Sequence, residues 1–166
     1  ISLPGVPYEM KGILTDEGFP KLIQHFQTPN VIHRTIRTIG IPESKLAERI
    51  ENWETDLKAK GLSLAYLPSP GFVRLRISGV DHDGSKSKII EQKIEALLEL
   101  LGDAIYGYEK EILEEVIGKL LTDQNKTISL AESCTGGTIA KLLTNISGSS
   151  AYFKGGIVSY ANAIKI

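Results

Sequence analysis

The segment 127–137, TISLAESCTGG, holds the residues of this chain that are best suited to chemistry. An apolar run ends at Glu132, and a serine, a cysteine, a threonine and two glycines follow before 138–143 takes on helical character. A strand–turn–helix junction of this kind exposes a nucleophile, and the free N–H groups at the helix start can bind an anion. Ser133 offers a hydroxyl and Cys134 a thiol, whereas a helix cap or a tight turn explains the same small residues without any reaction.

A hydroxyl at neutral pH needs a neighbouring base before it can attack a poor electrophile. The three histidines all lie upstream of Ser133, at His25, His33 and His82. Near the other end of the chain, Lys165 can act as the base once it is partly desolvated, and the phenol of Tyr160 can orient the lysine or relay a proton. The alternative is that Tyr160 and Lys165 are ordinary surface residues.

The segment Asp81-His82-Asp83 has the residue types of a metal site. A structural zinc site needs about four ligands, and this is a single cluster in a polar loop with no second group of ligands. The sequence therefore favours a solvated loop and predicts no metal.

Composition argues against several classes of protein. The 166 residues include 19 basic and 20 acidic residues for a net charge of −1, and this balance argues against nucleic-acid binding, which usually requires a basic excess. The single cysteine cannot form an intrachain disulfide and fits a reducing, cytoplasmic compartment. No apolar run approaches the ~18 residues of a membrane span, so we expect no membrane partner.

The elements that must position the candidate residues follow a regular order. Strand patterns cover 31–38, 62–67, 72–78 and 104–106, and helix patterns cover 43–53 and 88–101. The order β-α-β-β-α-β is the split β-α-β arrangement, an α+β fold whose antiparallel sheet carries two helices on one face. A helix at 108–121 then leads into 127–137, which we interpret as the front of an α/β catalytic domain.

The two ends of the chain read as parts of other domains. Residues 1–28 contain the stiff turn Pro4-Gly5-Val6-Pro7 and a helix pattern at 18–26, and the chain opens on Ile1 rather than Met. At the other end, a strand pattern at 157–160 is followed by six residues. We therefore expect a complete domain at 29–107 between a partial domain at 1–28 and a truncated domain at 108–166.

Several motifs resemble one family, in order, over nearly the whole chain. Segments 131–137, 146–153 and 155–165 resemble the carboxy-terminal domain of the CinA family, the competence/damage-inducible proteins. Segments 34–44, 66–71 and 101–107 resemble the middle, KH-like domain of that family. Segment 3–10 is similar to the end of its molybdopterin-binding-like amino-terminal domain.

The resemblance implies a nicotinamide-nucleotide amidohydrolase without a cofactor. It would convert nicotinamide mononucleotide to the nicotinate form and ammonia, in pyridine-nucleotide salvage. Ser133 would be the nucleophile, with Lys165 and Tyr160 as its partners. The substrate would contact the residues of the turn. The N–H groups of Cys134, Thr135, Gly136 and Gly137 can stabilise an oxyanion or hold the substrate phosphate, and Glu132 would contact the ribose or the pyridine amide.

The resemblance also implies properties of the whole protein. In some members the amino-terminal domain hydrolyses ADP-ribose with a divalent metal, and the loop Pro4-Gly5-Val6-Pro7 would approach the ligand of that domain. The protein would be a homodimer acting on a small nucleotide. Two alternatives stay open: the chain is an inactive structural linker or dimerisation module, or the main activity is an ADP-ribose pyrophosphatase in the missing amino-terminal domain.

The KH-like resemblance does not bring RNA binding with it. RNA-binding KH domains clamp the nucleic-acid backbone with a Gly-x-x-Gly loop, whereas the first strand here is followed by Gly40-Ile41-Pro42-Glu43. Arg74 and Arg76 share one face of a strand, with Arg34 expected nearby. The favoured interpretation of these arginines is a solvated sheet face or a contact between domains.

Overall fold

The computed structural model describes residues 2–26 and 30–165. Its first part is helical: α1 (Pro7–Ile13), a π-helical turn (Leu14–Gly18) and α2 (Phe19–His25) follow one another without a break. Pro7 occupies the first turn of α1, where its missing N–H costs no hydrogen bond. The helix pattern at 18–26 thus captured only the second half of this segment, and the predicted domain boundary between 28 and 29 falls at residues outside the described ranges.

A four-stranded antiparallel sheet forms the central domain. Its strands are β1 (Val31–Ile39), β2 (Ser63–Ser69), β3 (Phe72–Val80) and β4 (Ile105–Tyr108), in the spatial order β2-β3-β1-β4. The helices α3 (Glu43–Ala59) and α4 (Ser85–Leu101) connect them. This is the β-α-β-β-α-β order, and the α+β prediction is confirmed.

The core of this domain lies between the two helices and one face of the sheet. The indole N–H of Trp53 on α3 donates to the Lys93 carbonyl of α4 at 2.9 Å, which joins the two helices. Leu57 is fully buried and extends the apolar stripe of α3, so that helix continues past the predicted end at residue 53. The buried residues are Ile36, Leu46, Ile50, Trp53, Leu57, Leu62, Val73, Leu75, Ile77, Ile90, Leu97 and Leu101.

Asp81 is buried just before α4, whereas His82 and Asp83 are exposed, so the expectation of a solvated loop is wrong for Asp81 alone. Its carboxylate accepts hydrogen bonds from the N–H groups of Gly84, Lys86 and Ser87 at 2.9, 3.3 and 3.1 Å. Burial opposes the charge, but the bonds from the Ser87 hydroxyl and the three N–H groups outweigh it and lower the pKa of Asp81. Because these bonds organise the first turn, α4 begins at Ser85 rather than at residue 88.

The second unit is a small parallel α/β arrangement. It consists of α5 (Leu113–Asp123), β5 (Ile128–Glu132), α6 (Thr138–Thr144) and β6 (Phe153–Val158), with β6 parallel to β5. The helix starts later than the predicted residue 108, because β4 extends to Tyr108 and the N–H of that residue donates to the Glu111 carboxylate at 2.7 Å. The last strand lies earlier in the chain than the predicted 157–160.

Candidate functional site

Ser133 lies directly after β5, at the carboxyl end of the parallel pair. Glu132 is in register with Val158, and the Ser159 N–H donates to the Glu132 carbonyl at 2.7 Å. The carboxyl ends of parallel strands share one edge, which is where α/β proteins bind ligands. The Ser133 turn and the segment that follows β6 therefore lie at the same edge of this sheet.

The turn after Ser133 is closed by its own backbone. The Gly136 N–H donates to the Ser133 carbonyl at 3.1 Å, and the Thr138 N–H donates to the Thr135 carbonyl at 2.9 Å. Gly136 and Gly137 have φ angles of +57° and +91°. Side-chain-bearing residues rarely adopt these angles, so the glycine pair permits the abrupt entry into α6.

The Glu132 carboxylate lies beneath the first turn of α6. Glu132 is only 4% exposed, and its two oxygens accept hydrogen bonds from the N–H groups of Gly137, Ile139 and Ala140 at 3.0, 3.1 and 2.8 Å. Burial opposes ionisation, yet the Ala140 N–H, the Thr135 hydroxyl and the other two N–H groups outweigh it and lower the pKa of Glu132. Glu132 is thus an internal anion at the helix start, and its contact with substrate stays a prediction.

Some of the N–H groups that the sequence suggests for binding an anion are already bonded within the protein. Those of Gly137, Ile139 and Ala140 are used by Glu132. Within residues 30–165, the N–H groups of Cys134 and Thr135 have no protein acceptor. Any oxyanion stabilisation at this turn would therefore come from the Cys134 and Thr135 end rather than from Gly137.

Tyr160 and Lys165 follow β6 but do not contact Ser133 through a hydrogen bond in the described part of the chain. Tyr160 is 73% exposed. Lys165 is exposed after a single 3₁₀ turn, Asn162–Ile164. Tyr160 lies two residues after β6, and Lys165 lies seven residues after it. The structure does not assemble them with Ser133, so their roles stay predictions.

The loop Pro4-Gly5-Val6-Pro7 leads into α1. Gly5 forms a bend, and Val6 caps the helix that starts at Pro7. Ser2 and Leu3 belong to no helix or strand. The ligand-binding role of the loop stays a prediction.

The sheet face that α3 and α4 leave open carries a feature that sequence reasoning missed. Arg37 of β1 is directly opposite Arg74 of β3, whereas Arg34 lies on the helix-covered side and pairs with Glu91 of α4 at 3.0 Å. The expectation that Arg34 lies near Arg74 was wrong. Arg34 and Arg37 are three residues apart on β1, and residues three apart on a strand point to opposite faces. The same alternation places Arg37 on the open face, whereas its position opposite Arg74 is set by the register of β1 and β3.

A cavity of about 530 Å³ lies between this open face and the helices α5 and α6. Its lining residues are Arg37, Ser69, Phe72, Arg74, Tyr106, Ile112, Leu113, Glu114, Ile117, Ile139, Leu142 and Leu143. Among residues 2–26 and 30–165, no group of three or more metal-ligating side chains is close enough to hold a metal ion. No helix in those ranges is long and apolar enough to cross a membrane.

The fold and this site define a split β-α-β domain followed by a small parallel α/β unit with a serine-bearing turn. Residues 33–107 match the KH domain of damage-inducible protein CinA, and residues 110–166 match the CinA C-terminal domain. The chain belongs to the CinA family.

Relatives of this family match the chain from end to end. A CinA-like protein of Flavobacterium psychrophilum is 56% identical over 169 residues and covers 100% of the chain, and one of Cytophaga hutchinsonii is 51% identical and covers 99%. The chain spans 40% of the length of each relative. The crystal structure of competence/damage inducible protein CihA from Agrobacterium tumefaciens is 46% identical over 31% of this chain and 32% of its own, with a TM-score of 0.31, too low to support a comparison of folds.

Proposed function

We propose that the unit from α5 to β6 belongs to an amidohydrolase that converts nicotinamide mononucleotide to the nicotinate form and ammonia. The observation that carries this proposal is the place of Ser133 at the carboxyl edge of the parallel strands, on a turn held by Glu132. Family membership adds to it, since the motifs at 131–137 and 155–165 resemble the amidohydrolase domain.

In the proposed reaction the Ser133 hydroxyl attacks the carboxamide carbon. Lys165, in its neutral form, takes the hydroxyl proton, and the negative charge moves to the carboxamide oxygen. The N–H groups of Cys134 and Thr135 are available to that oxygen. Ammonia leaves with a proton returned by Lys165, and water then hydrolyses the acyl-serine to the free carboxylate.

Tyr160 would orient the lysine in this scheme. Both side chains are exposed in the described structure, whereas a lysine base works best when desolvated. A bound nucleotide covering Tyr160 and Lys165 would supply that desolvation, so the base would be fully active only in the substrate complex.

The test is ammonia release from nicotinamide mononucleotide by a protein of the relatives' length that contains this chain. Ser133→Ala and Lys165→Ala should each lower kcat by about 10³-fold or more, as loss of a nucleophile or its base does in serine hydrolases. The matched controls are Ser129→Ala on β5 and Lys154→Ala on β6, both exposed positions in the same unit. Full activity in both site variants would refute the assignment.

A further variant distinguishes between the two candidate nucleophiles, the Ser133 hydroxyl and the Cys134 thiol. Cys134→Ala removes the thiol but keeps the backbone N–H, so under the proposal it should retain far more activity than Ser133→Ala. Loss of activity in Cys134→Ala with retention in Ser133→Ala would transfer the nucleophile to the thiol.

A further inference from the structure

Two positively charged residues lie where the open sheet face lines the cavity. Arg37 and Arg74 are cross-strand partners in β1 and β3. Their neighbours on the outer strands are Gly107 of β4 and Leu67 of β2. The Glu111 carboxylate lies over Gly107, 3.0 Å from where a Cβ would stand, but it forms no salt bridge with Arg37 among the described residues. Like charges directly opposite each other destabilise a sheet unless an anion neutralises them.

Protein groups neutralise this pair incompletely. The Nε of Arg37 donates to the Glu109 carbonyl at 2.8 Å, a neutral acceptor. Within the described ranges, neither Arg37 nor Arg74 forms a salt bridge. Of the described residues that line the cavity, Glu114 is the one acidic residue, against two arginines. An excess of positive charge therefore remains in a largely apolar, half-open cavity.

Aromatic and aliphatic side chains surround the arginines. Phe72 and Tyr106 pack edge to face with ring centroids 5.8 Å apart. The opposite wall is aliphatic and includes Ile112 and Leu142. A volume of about 530 Å³ falls in the usual range for small-molecule sites, which combine apolar walls with a few placed charges.

We propose that this cavity binds a small anion that carries a planar aromatic group, such as a nucleoside monophosphate. The guanidinium groups of Arg37 and Arg74 would hold the phosphate or carboxylate, for which their fork geometry is suited. The aromatic group would lie against Phe72 and Tyr106. This site is separate from Ser133 and does not rest on the proposed amidohydrolase activity.

The cavity also borders the helix that follows the Ser133 turn. Ile139 lines the cavity, and its N–H donates to the Glu132 carboxylate at 3.1 Å. A ligand that fills the cavity would therefore contact the first turn of α6, which follows the Ser133 turn.

The experiment is calorimetric titration of the 166-residue chain with adenosine monophosphate, and separately with adenosine and with inorganic phosphate. Arg74→Gln should weaken binding of the monophosphate about tenfold or more, as expected for loss of a charge-assisted hydrogen bond. Arg76→Gln is the matched control, because Arg76 lies two residues along the same strand face but outside the cavity lining. The affinity of Arg76→Gln for the monophosphate should stay within about twofold of the parent value, because a charge outside the cavity contributes only a screened, long-range attraction.

The separate probes distinguish the two parts of the ligand. Adenosine and phosphate should each bind more weakly than adenosine monophosphate, and Phe72→Leu should weaken the monophosphate without changing phosphate binding. Thermal unfolding of Arg74→Gln should show no loss of stability, because the substitution removes a like-charge contact. No binding of the monophosphate at about 10 mM, roughly tenfold above a Kd of about 1 mM, would overturn the proposal. So would equal weakening by Arg74→Gln and Arg76→Gln, or an affinity for inorganic phosphate equal to that for the monophosphate.

Discussion

The Glu132 carboxylate accepts a hydrogen bond from the Ala140 N–H at 2.8 Å, which ties the end of β5 to the first turn of α6. The five-residue turn between them, 133–137, carries the candidate nucleophile. The geometry of that turn therefore depends on the position of the Glu132 carboxylate and on its ionisation.

Glu132→Gln should destabilise the α5–β6 unit and change its response to acid. The folded-state pKa of Glu132 lies below its ordinary value of 4.5, so the carboxylate contributes stability that is fully present above about pH 4.5 and is lost as the pH falls through the folded-state pKa. Thermal unfolding followed from pH 7 to pH 3 should show a smaller acid-dependent loss in Glu132→Gln. The exposed Glu99 of α4 provides the control, and Glu99→Gln should keep the parent profile. Identical acid profiles for Glu132→Gln and the parent would contradict this role.

Asp81→Asn should lower the melting temperature of the central domain by about 5 °C, because it weakens the buried cap of α4. The expected loss is largest near neutral pH, where the Asp81 carboxylate is ionised, since the folded-state pKa of that group is lowered. Differential scanning calorimetry measures the change. Asp103→Asn, at an exposed residue before β4, should leave the melting temperature nearly unaltered. Equal effects of the two substitutions would argue against a special role for Asp81.

Gly118→Ala should destabilise the second unit by about 2 kcal/mol through overpacking. A Cβ at residue 118 would lie 2.7 Å from the Tyr152 hydroxyl oxygen and 2.8 Å from two carbons of the ring, and Tyr152 is buried. Denaturant unfolding gives the free energy. Gly12→Ala is a matched helical control with open space at its Cβ, and it should not destabilise α1.

A double variant tests the cause of that loss. If the clash with Tyr152 is responsible, Gly118→Ala combined with Tyr152→Leu should cost less than the sum of the two single substitutions. If the free-energy losses of the two single substitutions add strictly, the clash with Tyr152 is not the cause of the lost stability.

Tyr66 should make the central domain sensitive to alkali. Burial, and then the hydrogen bond that its hydroxyl donates to the Glu54 carboxylate at 2.7 Å, raise the pKa of Tyr66 above its ordinary value of 10.0. The neutral phenol therefore contributes stability that is fully present below about pH 10 and is lost as the pH rises toward the folded-state pKa.

Tyr66→Phe should reduce that alkaline loss. Unfolding midpoints at about pH 9 and about pH 11, on either side of the ordinary tyrosine pKa, measure it. Tyr8→Phe alters a tyrosine that is 87% exposed, and it should behave like the parent. An unchanged alkaline loss in Tyr66→Phe would assign the effect to other groups.

From residue 30 onward the order of helices and strands could be predicted from local patterns, because side-chain periodicity reports which face of an element is buried. The helix α1 was missed. The boundaries were less accurate where a distant contact decides them. Leu57 extends α3 because it packs into the core, and the buried carboxylate of Asp81 starts α4 early. Neither effect is visible in the residues that immediately flank the helix ends.

Residue types and spacing alone determined that a small polar turn with Ser133 stands between a strand and a helix. The tertiary structure decided which N–H groups of that turn are used, because the buried Glu132 reaches those of Gly137, Ile139 and Ala140. It also decided that Arg37, rather than Arg34, is opposite Arg74. Register between strands and the partners of a buried carboxylate depend on packing between distant parts of the chain, which no local pattern contains.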